Sequence, residues 1–287
     1  MRKIPRPSLS TKEILLTSIA NYQDKDLIDR LKSAERELTE WAEIFEGNII
    51  NNTVHTINKD LCIPQNVSSN EMVNIYDDKF AKKTGPGREL YNQIKNSAKN
   101  NMCPFCGYRP VDSLDHYLPK RKFPALAISP INLIPACLGC NKKKGEGAPT
   151  TAAEEFLHPY FDDIDDDFWL YSEVLESVPI TVRYRVMPPE TWSEIKKERV
   201  KNHFKKFHLG QLYSSYVSEE LSEKIYILKI IFESGGSKAV KEDINKSLDS
   251  FRYNHKNSWK TALFKALADS EWFCEEALSH SIEELLM

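Results

Sequence analysis

Four cysteines occur as two close pairs near the middle of the chain, a pattern typical of metal-binding sites. Each pair has the spacing Cys-x-x-Cys, and the candidate ligands are Cys103, Cys106, Cys137 and Cys140. Two such pairs predict a closed tetrahedral zinc site that stabilises a segment too short to bury its own core. Gly107 and Gly139 favour tight turns within the pairs. The alternative, a thioredoxin-like redox pair, needs one Cys-x-x-Cys beside a βαβ pattern, so we expect structural zinc.

The residues between and after the cysteine pairs predict two extended segments and a short helix. The first is predicted over residues 111–117 and ends in an Asp-His pair, and the second is predicted over residues 126–134. After the second pair, Asn141 and three lysines predict a helix that the following glycines end. The expected order is therefore strand, strand and helix around a metal.

This order of elements and residues resembles the HNH nuclease family. That family has a ββα-metal core, commonly clamped by four cysteines, with Asp-His, a central Asn and Cys-Asn-x-x-Lys in that order. The matching residues are Asp115, His116, Asn132, Asn141 and Lys144. The family also accepts histidine where this chain has Asn141. The resemblance implies cleavage of phosphodiester bonds in nucleic acid, with DNA as the first-choice substrate and RNA as the alternative.

The residue types of the motif fit this reaction on chemical grounds. An imidazole titrates near neutral pH, so His116 is the expected general base that activates the attacking water. Asp115 and Asn141 offer the oxygen ligands that Mg²⁺ or Mn²⁺ prefers, and such an ion would neutralise charge in the transition state. By the resemblance, Asn132 orients the imidazole and Lys144 contacts phosphate.

Each motif residue also has a plainer interpretation when it is taken alone. An Asp-His pair is commonly a surface strand end, and an asparagine before a turn commonly serves that turn. Their combination between two cysteine pairs favours a nuclease. The alternative is a zinc-ribbon protein that binds nucleic acid, or acts as a scaffold, without cutting. His158 is interpreted as a packed or turn histidine, with metal or substrate contact as the alternative.

Basic residues are concentrated around the motif, although the net charge of the chain is -3. Residues 79–145 contain 13 lysines and arginines against three acidic residues, whereas residues 146–182 contain ten acidic residues and no lysine or arginine. A basic surface fits a phosphate backbone, and a solvated face is the plainer alternative. The expected nucleic-acid contacts are Lys120, Arg121, Lys142 and Lys144. The acidic stretch 161–169 is expected to be a solvated loop, with a partner site or an intramolecular screen as alternatives.

The flanks of the motif predict mainly helices. Ser10 and Glu13 predict a capping box for a helix through Ala20, and residues 24–45 carry an apolar stripe for a helix that Gly47 ends. Residues 47–70 predict a loop. Further helices are predicted over residues 88–100, after Thr191, and over residues 218–232, 237–251 and 258–278, with one strand over residues 180–186.

Composition indicates a globular protein, with 41% hydrophobic and 28% charged residues. We expect an α+β fold, mostly helical, with an embedded ββα-metal core. The expected segments are 1–86 (helical), 87–160 (zinc-stapled nuclease core) and 161–287 (mainly helical, with one strand). No apolar run is long enough for a membrane span and no signal peptide is recognisable, so we expect a cytoplasmic location with Cys62 and Cys274 reduced.

The helical flanks contain no recognisable motif for reading a nucleic-acid sequence. In this they resemble HNH effectors of bacterial anti-phage systems, including the PtuB-like group of Septu systems. Those effectors work beside an ATPase. The resemblance therefore implies a role in anti-phage defence and an ATPase partner protein. The chain itself shows no sign of using ATP or NAD, because it has neither a Walker lysine loop nor a dinucleotide glycine fingerprint.

Overall fold

The computed structural model describes residues 1–286, which divide into two compact units, Met1–Asp163 and a second unit from Ile164 onward. The chain is 55% helical with two small antiparallel sheets, which confirms the α+β class. The predicted segments 1–86 and 87–160 both lie in the first unit. Within residues 1–286, none of the helices combines the length and the apolar character needed to cross a membrane.

The first unit consists of short helices around one strand pair. Its α-helices are α1 (Thr11–Ser18), α2 (Lys25–Ser33), α3 (Glu35–Asn51), α4 (Ser69–Asn74), α5 (Arg88–Lys95) and α6 (Leu138–Lys144). A π-helix, Ile75–Phe80, continues directly from α4. The strands β1 (Ser113–His116) and β2 (Leu133–Ala136) pair antiparallel, with His116 opposite Leu133. The chain then passes from β2 through the second cysteine pair into α6.

Serine caps start two helices of the first unit. Ser10 Oγ accepts a hydrogen bond from the Glu13 backbone N–H at 3.1 Å, and α1 ends at Ser18. At the start of α4, Ser68 and Glu71 form a capping box in which each side chain binds the other residue's backbone N–H. Caps of this kind contribute about 1 kcal/mol each.

The single helix predicted over residues 24–45 is two helices, α2 and α3, and Gly47 does not end the second. α3 continues to Asn51, and Asn52 ends it with a left-handed φ of 56°. A glycine inside a helix is unfavourable by about 1 kcal/mol, but Phe45 and Ile49 are buried on either side of Gly47. Tertiary packing therefore outweighs the local preference.

The connection from β1 to β2 also differs from the prediction. Residues 126–134 were expected to be extended, but the strand begins only at Leu133. Two 3₁₀ turns, Pro124–Leu126 and Pro130–Asn132, precede it, and each begins with proline. Proline suits the first position of a helical turn because its fixed φ matches and its missing N–H needs no partner there. The stretch between β1 and β2 is therefore a mostly buried loop that contains two 3₁₀ turns.

The second unit is a two-stranded sheet with helices. β3 (Leu170–Leu175) pairs antiparallel with β4 (Thr181–Val186), so the prediction of one strand was incomplete. The helices are α7 (Glu194–Lys206), α8 (Leu209–Ser214), α9 (Val217–Asn254), α10 (Trp259–Asp269), α11 (Glu271–Glu275) and α12 (Ile282–Leu286). α9 is interrupted at Gly236, which has a φ of 65°, at the place where the sequence predicted a break. α10 packs on β3 and α9.

The acidic residues from Asp165 to Asp167 are more ordered than the expected solvated loop. The Asn257 side chain accepts a hydrogen bond from the Trp169 backbone N–H at 3.0 Å and donates one to the Asp167 carbonyl at 2.9 Å. Trp192 Nε1 donates to Asp167 Oδ2 at 2.8 Å. This segment is therefore tied to the fold of the second unit.

Candidate functional site

The four predicted ligand cysteines form one buried cluster. Their Sγ atoms all lie within 4.8 Å of one another, close enough to bind one metal ion. Burial raises the pKa of the Cys103 thiol well above its ordinary value. Four sulfurs this close can all ionise only beside a cation, because thiolates repel one another in a buried site. An all-sulfur tetrahedral donor set is the one that zinc prefers.

Two glycines shape the cluster in different ways. Gly107 has a φ of 66°, which side-chain-bearing residues rarely adopt, and this confirms the predicted turn in the first pair. The Arg109 backbone N–H donates to Cys106 Sγ at 3.5 Å across that turn. Gly139 lies inside α6, where an added Cβ would collide with the Arg109 guanidinium. Gly139 therefore lets an arginine that follows the first pair pack on the second.

A cleft of about 310 Å³ lies where the end of β1 meets α6. Its lining includes all the predicted catalytic and nucleic-acid-binding residues except Asn132. These are Asp115, His116, Lys120, Arg121, Asn141, Lys142 and Lys144. Residues that the motif did not indicate also line it, among them Tyr76, Leu114, Pro119 and Glu146. Residues from the π-helix, β1, the β1–β2 loop and α6 thus meet at one place.

The imidazole of His116 is held in one tautomer. His116 Nε2 lies 2.8 Å from the Ala127 carbonyl oxygen. A carbonyl can only accept, so Nε2 carries the proton and Nδ1 is left to accept one. Burial is the main cause that lowers the pKa of His116 to about 3; the charges of Lys120 and Lys144 contribute to this lowering, and the hydrogen bond to Ala127 opposes it. The ring is therefore neutral at neutral pH, as a proton acceptor must be.

Asp115 is buried beside a lysine. Lys144 Nζ lies 3.5 Å from Asp115 Oδ1, and the side-chain exposures of the lysine and the aspartate are 2% and 9%. Burial raises the pKa of Asp115 to about 6, while the Lys144 charge acts in the opposite direction. Asp115 Oδ2 is buried without a hydrogen-bond partner in the described chain. A buried carboxylate oxygen of this kind is a suitable cation ligand.

Lys144 lines the cleft but is buried, and its predicted contact with phosphate stays a prediction. Its ammonium donates a hydrogen bond to the Gly145 carbonyl at 3.2 Å, in addition to its ion pair with Asp115. The exposed cations of the cleft are Arg121 and Lys142. These two cations therefore lie open to solvent, whereas Lys144 is engaged with Gly145 and Asp115 inside the protein.

Asn132 does not hydrogen-bond the imidazole, although the resemblance implied that it orients His116. Its Oδ1 accepts from the Leu118 backbone N–H at 2.7 Å, and its Nδ2 donates to the carbonyls of Leu118 and Leu126, both at 3.0 Å. Leu126 adjoins Ala127, whose carbonyl binds His116. Asn132 is therefore connected to the imidazole through the backbone of the β1–β2 loop.

Sequence reasoning missed Tyr76 and Asp77 in the π-helix. The ring centroids of Tyr76 and His116 are 4.3 Å apart, with the planes at 65°. Asp77 pairs with Lys120, whose ammonium also lies 4.3 Å from the centre of the Tyr76 ring. Nothing in the sequence near residue 76 resembles a catalytic motif, so only the tertiary contact identifies these residues.

His158 is packed inside the first unit. It is fully buried, its Nε2 lies 3.1 Å from the Ile131 carbonyl oxygen, and its ring centroid is 4.5 Å from that of Tyr117. These contacts agree with the interpretation of a packed histidine. Both contacted residues belong to the β1–β2 loop region, so His158 packs against that loop.

The comparisons with known proteins show a similarity to a phage protein. No protein-family model matches the sequence, and no solved structure matches it. The chain is similar to protein Ea31 of Escherichia phage lambda. The two sequences are 24% identical over an alignment of 307 residues, and this alignment covers 95% of this chain and 99% of the phage protein. The similarity thus extends along both units. The name of the phage protein states no activity, so function has to be inferred from the site.

Proposed function

We propose that this protein is a metal-dependent endonuclease that hydrolyses phosphodiester bonds in nucleic acid, with DNA as the first-choice substrate. The observation that carries the proposal is the cleft at the end of β1. It combines a neutral imidazole with a defined proton-accepting nitrogen, a buried carboxylate and an exposed basic rim. The order of strands and helix around it follows the HNH resemblance.

The residues of the cleft fit a hard divalent ion. Asp115 Oδ2 is buried and unpartnered among residues 1–286, and Asn141 lines the same cleft with an amide that can supply a second oxygen. Oxygen donors select Mg²⁺ or Mn²⁺ over softer metals. When bound, such an ion would act as a Lewis acid on a phosphate oxygen. Lys144 holds Asp115 Oδ1, which leaves Oδ2 for the ion.

His116 supplies the base. Its Nδ1 can take a proton from water because Nε2 is engaged by Ala127. Burial keeps the pKa of the imidazole low in the free protein, and the positive charges of Lys120 and Lys144 add to this effect. A bound phosphodiester would offset those charges, so we expect His116 to become more basic when substrate is present.

The cysteine cluster has a separate role in this proposal. Four cysteines complete a tetrahedral zinc site and leave no open position for water or substrate. Cys140 directly precedes Asn141 in α6, so zinc would fix the start of the helix that carries the amide ligand. The implied defence role and ATPase partner are untested by these observations and stay predictions.

The experiment is cleavage of supercoiled plasmid by purified wild type, His116→Ala and His280→Ala, each with Mg²⁺, Mn²⁺ or EDTA. His280 is a partly exposed histidine of the second unit, with a side-chain exposure of 42%, and serves as the control. We expect wild type and His280→Ala to cut only with added metal, and His116→Ala to lose at least about 10²-fold in rate. A single-stranded RNA is assayed in parallel.

Two results would overturn the proposal. Equal cleavage by wild type and His116→Ala would show that His116 is not the base. Binding of nucleic acid without cleavage of DNA or RNA by any variant, with zinc retained, would favour the zinc-ribbon binding protein. The exposed cations of the cleft are what that second function would use.

A further inference from the structure

The imidazole of His116 is contacted by two groups from different parts of the first unit. The Ala127 carbonyl accepts from Nε2, and the ring of Tyr76 meets the imidazole in an edge arrangement with centroids 4.3 Å apart. A hydrogen bond fixes one atom of a ring but leaves rotation about that bond. A second contact at an angle to the first restricts this rotation. Together the two contacts can define the direction of Nδ1.

Tyr76 is itself well fixed. The residue is 6% exposed, its hydroxyl lies 3.4 Å from the Leu114 carbonyl oxygen, and its ring contacts Phe80. Leu114 and His116 are both in β1. The tyrosine therefore lies along the strand that carries the proposed base, touching it at two points.

The π-helix and Lys120 hold Tyr76 from the other side. Lys120 Nζ lies over the Tyr76 ring and pairs with Asp77, the next residue of the π-helix. Lys120 follows His116 by four residues, so one lysine joins the loop after β1 to the segment that presents the tyrosine. π-Helical turns are rare and are often found at functional sites. The contact of Lys120 with Asp77 also explains why this lysine is not among the exposed cations of the cleft.

We propose that Tyr76 is a positioning residue that directs Nδ1 of His116 toward the attacking water, and that the Lys120–Asp77 pair holds the tyrosine in place. This inference rests on the proposed hydrolytic function. Tyr76 acts through its ring and not through its hydroxyl, because only the ring meets the imidazole. The hydroxyl bond to Leu114 is long for a hydrogen bond of an O–H donor.

The kinetic test compares Tyr76→Leu, Tyr76→Phe and Tyr160→Leu on a fluorescent DNA duplex. Tyr160 is an equally buried tyrosine whose hydroxyl bonds the Leu133 carbonyl, and it contacts His158 instead of His116. We expect Tyr76→Leu to lower kcat by about tenfold or more with KM nearly unchanged, since misplacing a reacting group affects the chemical step. Tyr76→Phe restores kcat, and Tyr160→Leu retains it.

The spectroscopic test needs no cleavage. NMR of the metal-free protein with ¹⁵N-labelled histidine rings reports which nitrogen of His116 carries the proton. We expect the Nε2–H tautomer in wild type, Tyr76→Phe and Tyr160→Leu, and a mixture of tautomers in Tyr76→Leu. Unfolding by urea is measured for every variant, so that loss of fold is recognised.

The outcomes separate this inference from the proposed function. If wild type cleaves no nucleic acid, the proposed function fails, and the tautomer measurement still decides whether Tyr76 orients the ring. An unchanged tautomer and kcat in Tyr76→Leu would overturn the inference while leaving the nuclease proposal intact. Equal losses in Tyr160→Leu and Tyr76→Leu would also overturn it, because they would assign Tyr76 to general packing.

Discussion

The ammonium of Lys144 lies 3.5 Å from Asp115 Oδ1, and both side chains are buried. This pair joins the last residue of α6 to the penultimate residue of β1. The burial of this pair is unexpected, because both residues belong to a motif that is predicted to act on nucleic acid at the protein surface. The lysine charge opposes the rise that burial causes in the pKa of Asp115, which stands at about 6. Lys144 thereby helps to keep a carboxylate ionised where a cation is needed.

Replacing Lys144 by methionine should destabilise the protein, because it leaves a buried carboxylate without its charge partner. Breaking a buried ion pair from one side typically lowers the free energy of unfolding by about 3 kcal/mol. The double variant Asp115→Asn with Lys144→Met should regain part of this loss. Urea unfolding at pH 8 measures all three proteins. A double variant no more stable than Lys144→Met would contradict the pairing.

The same pair predicts a dependence on pH. The pKa of Asp115 is about 6 in the folded protein, and its ordinary value, which applies to the unfolded chain, is 3.8. At a pH between these two values, folding is therefore accompanied by uptake of a proton. The contribution of Asp115 to the free energy of unfolding therefore falls as the pH rises from about 4 to 6. In Lys144→Met this fall should extend to higher pH. Comparing the two proteins at pH 5 and pH 8 checks the sign, because the deficit of the variant must be larger at pH 8.

Removal of the cluster metal should unfold the region between the cysteine pairs. We expect one zinc per chain, and we expect Cys106→Ser to lose zinc and much of its stability, since such metals contribute directly to folding. Cys62→Ser is the matched control, because Cys62 is also fully buried but lies outside the cluster. Native mass spectrometry with and without chelator counts the metal. Full zinc content in Cys106→Ser would refute the ligand assignment.

No residue that lacks either the donor or the acceptor half of the amide should replace Asn132 without loss. In Asn132→Asp, one carboxylate oxygen can still accept from the Leu118 backbone N–H. The second oxygen replaces the Nδ2 donor and faces the carbonyls of Leu118 and Leu126, to which it cannot donate. We expect a loss of about 3 kcal/mol or more in the free energy of unfolding, because buried groups are left unpaired and a charge is introduced. Cleavage should fall as well, because the Ala127 carbonyl moves with the loop. Wild-type stability in Asn132→Asp at pH 7 would contradict this role.

Arg121 and Lys142 should contribute charge to nucleic-acid binding without contributing to chemistry. Each phosphate contact that is removed should reduce the slope of log affinity against log salt by about 0.9. Binding is measured in EDTA with His116→Ala as the parent, so that no cleavage intervenes. Lys25→Gln, an exposed lysine at the start of α2, is the control and should leave the slope unchanged. Equal slopes in Arg121→Gln, Lys142→Gln and their parent would exclude these contacts.

The parts of the site that depend on local spacing could be predicted from the sequence. Two sulfurs in a Cys-x-x-Cys turn are neighbours whatever the rest of the chain does, and the position of Gly107 follows from the same turn. The Asp-His pair at a strand end and the short helix after the second pair are also local features. The structure agrees with the strand end and the cysteine cluster, and it has the short helix, but the helix begins at Leu138, within the second pair, and not at Asn141.

The parts that depend on distant contacts could not be predicted. Tyr76 reaches His116 only because α4, the π-helix and β1 pack together, and no pattern in either segment specifies the other. β3 was missed for a related reason, since its side chains do not alternate between buried and exposed and its strand form depends on pairing with β4. Burial of Lys144 likewise depends on where α6 meets β1.

The π-helix requires a fixed number of residues in the segment 75–80, whatever side chains these residues carry. A turn of this kind accommodates one residue more than an α-helical turn. Deleting exposed Asp78 would allow the segment to wind as an ordinary helix and would rotate Tyr76 by about 100° relative to Phe80. Substitution of Asp78 leaves the count intact. In this short stretch, insertions and deletions should therefore be far less tolerated than exchanges of side chain.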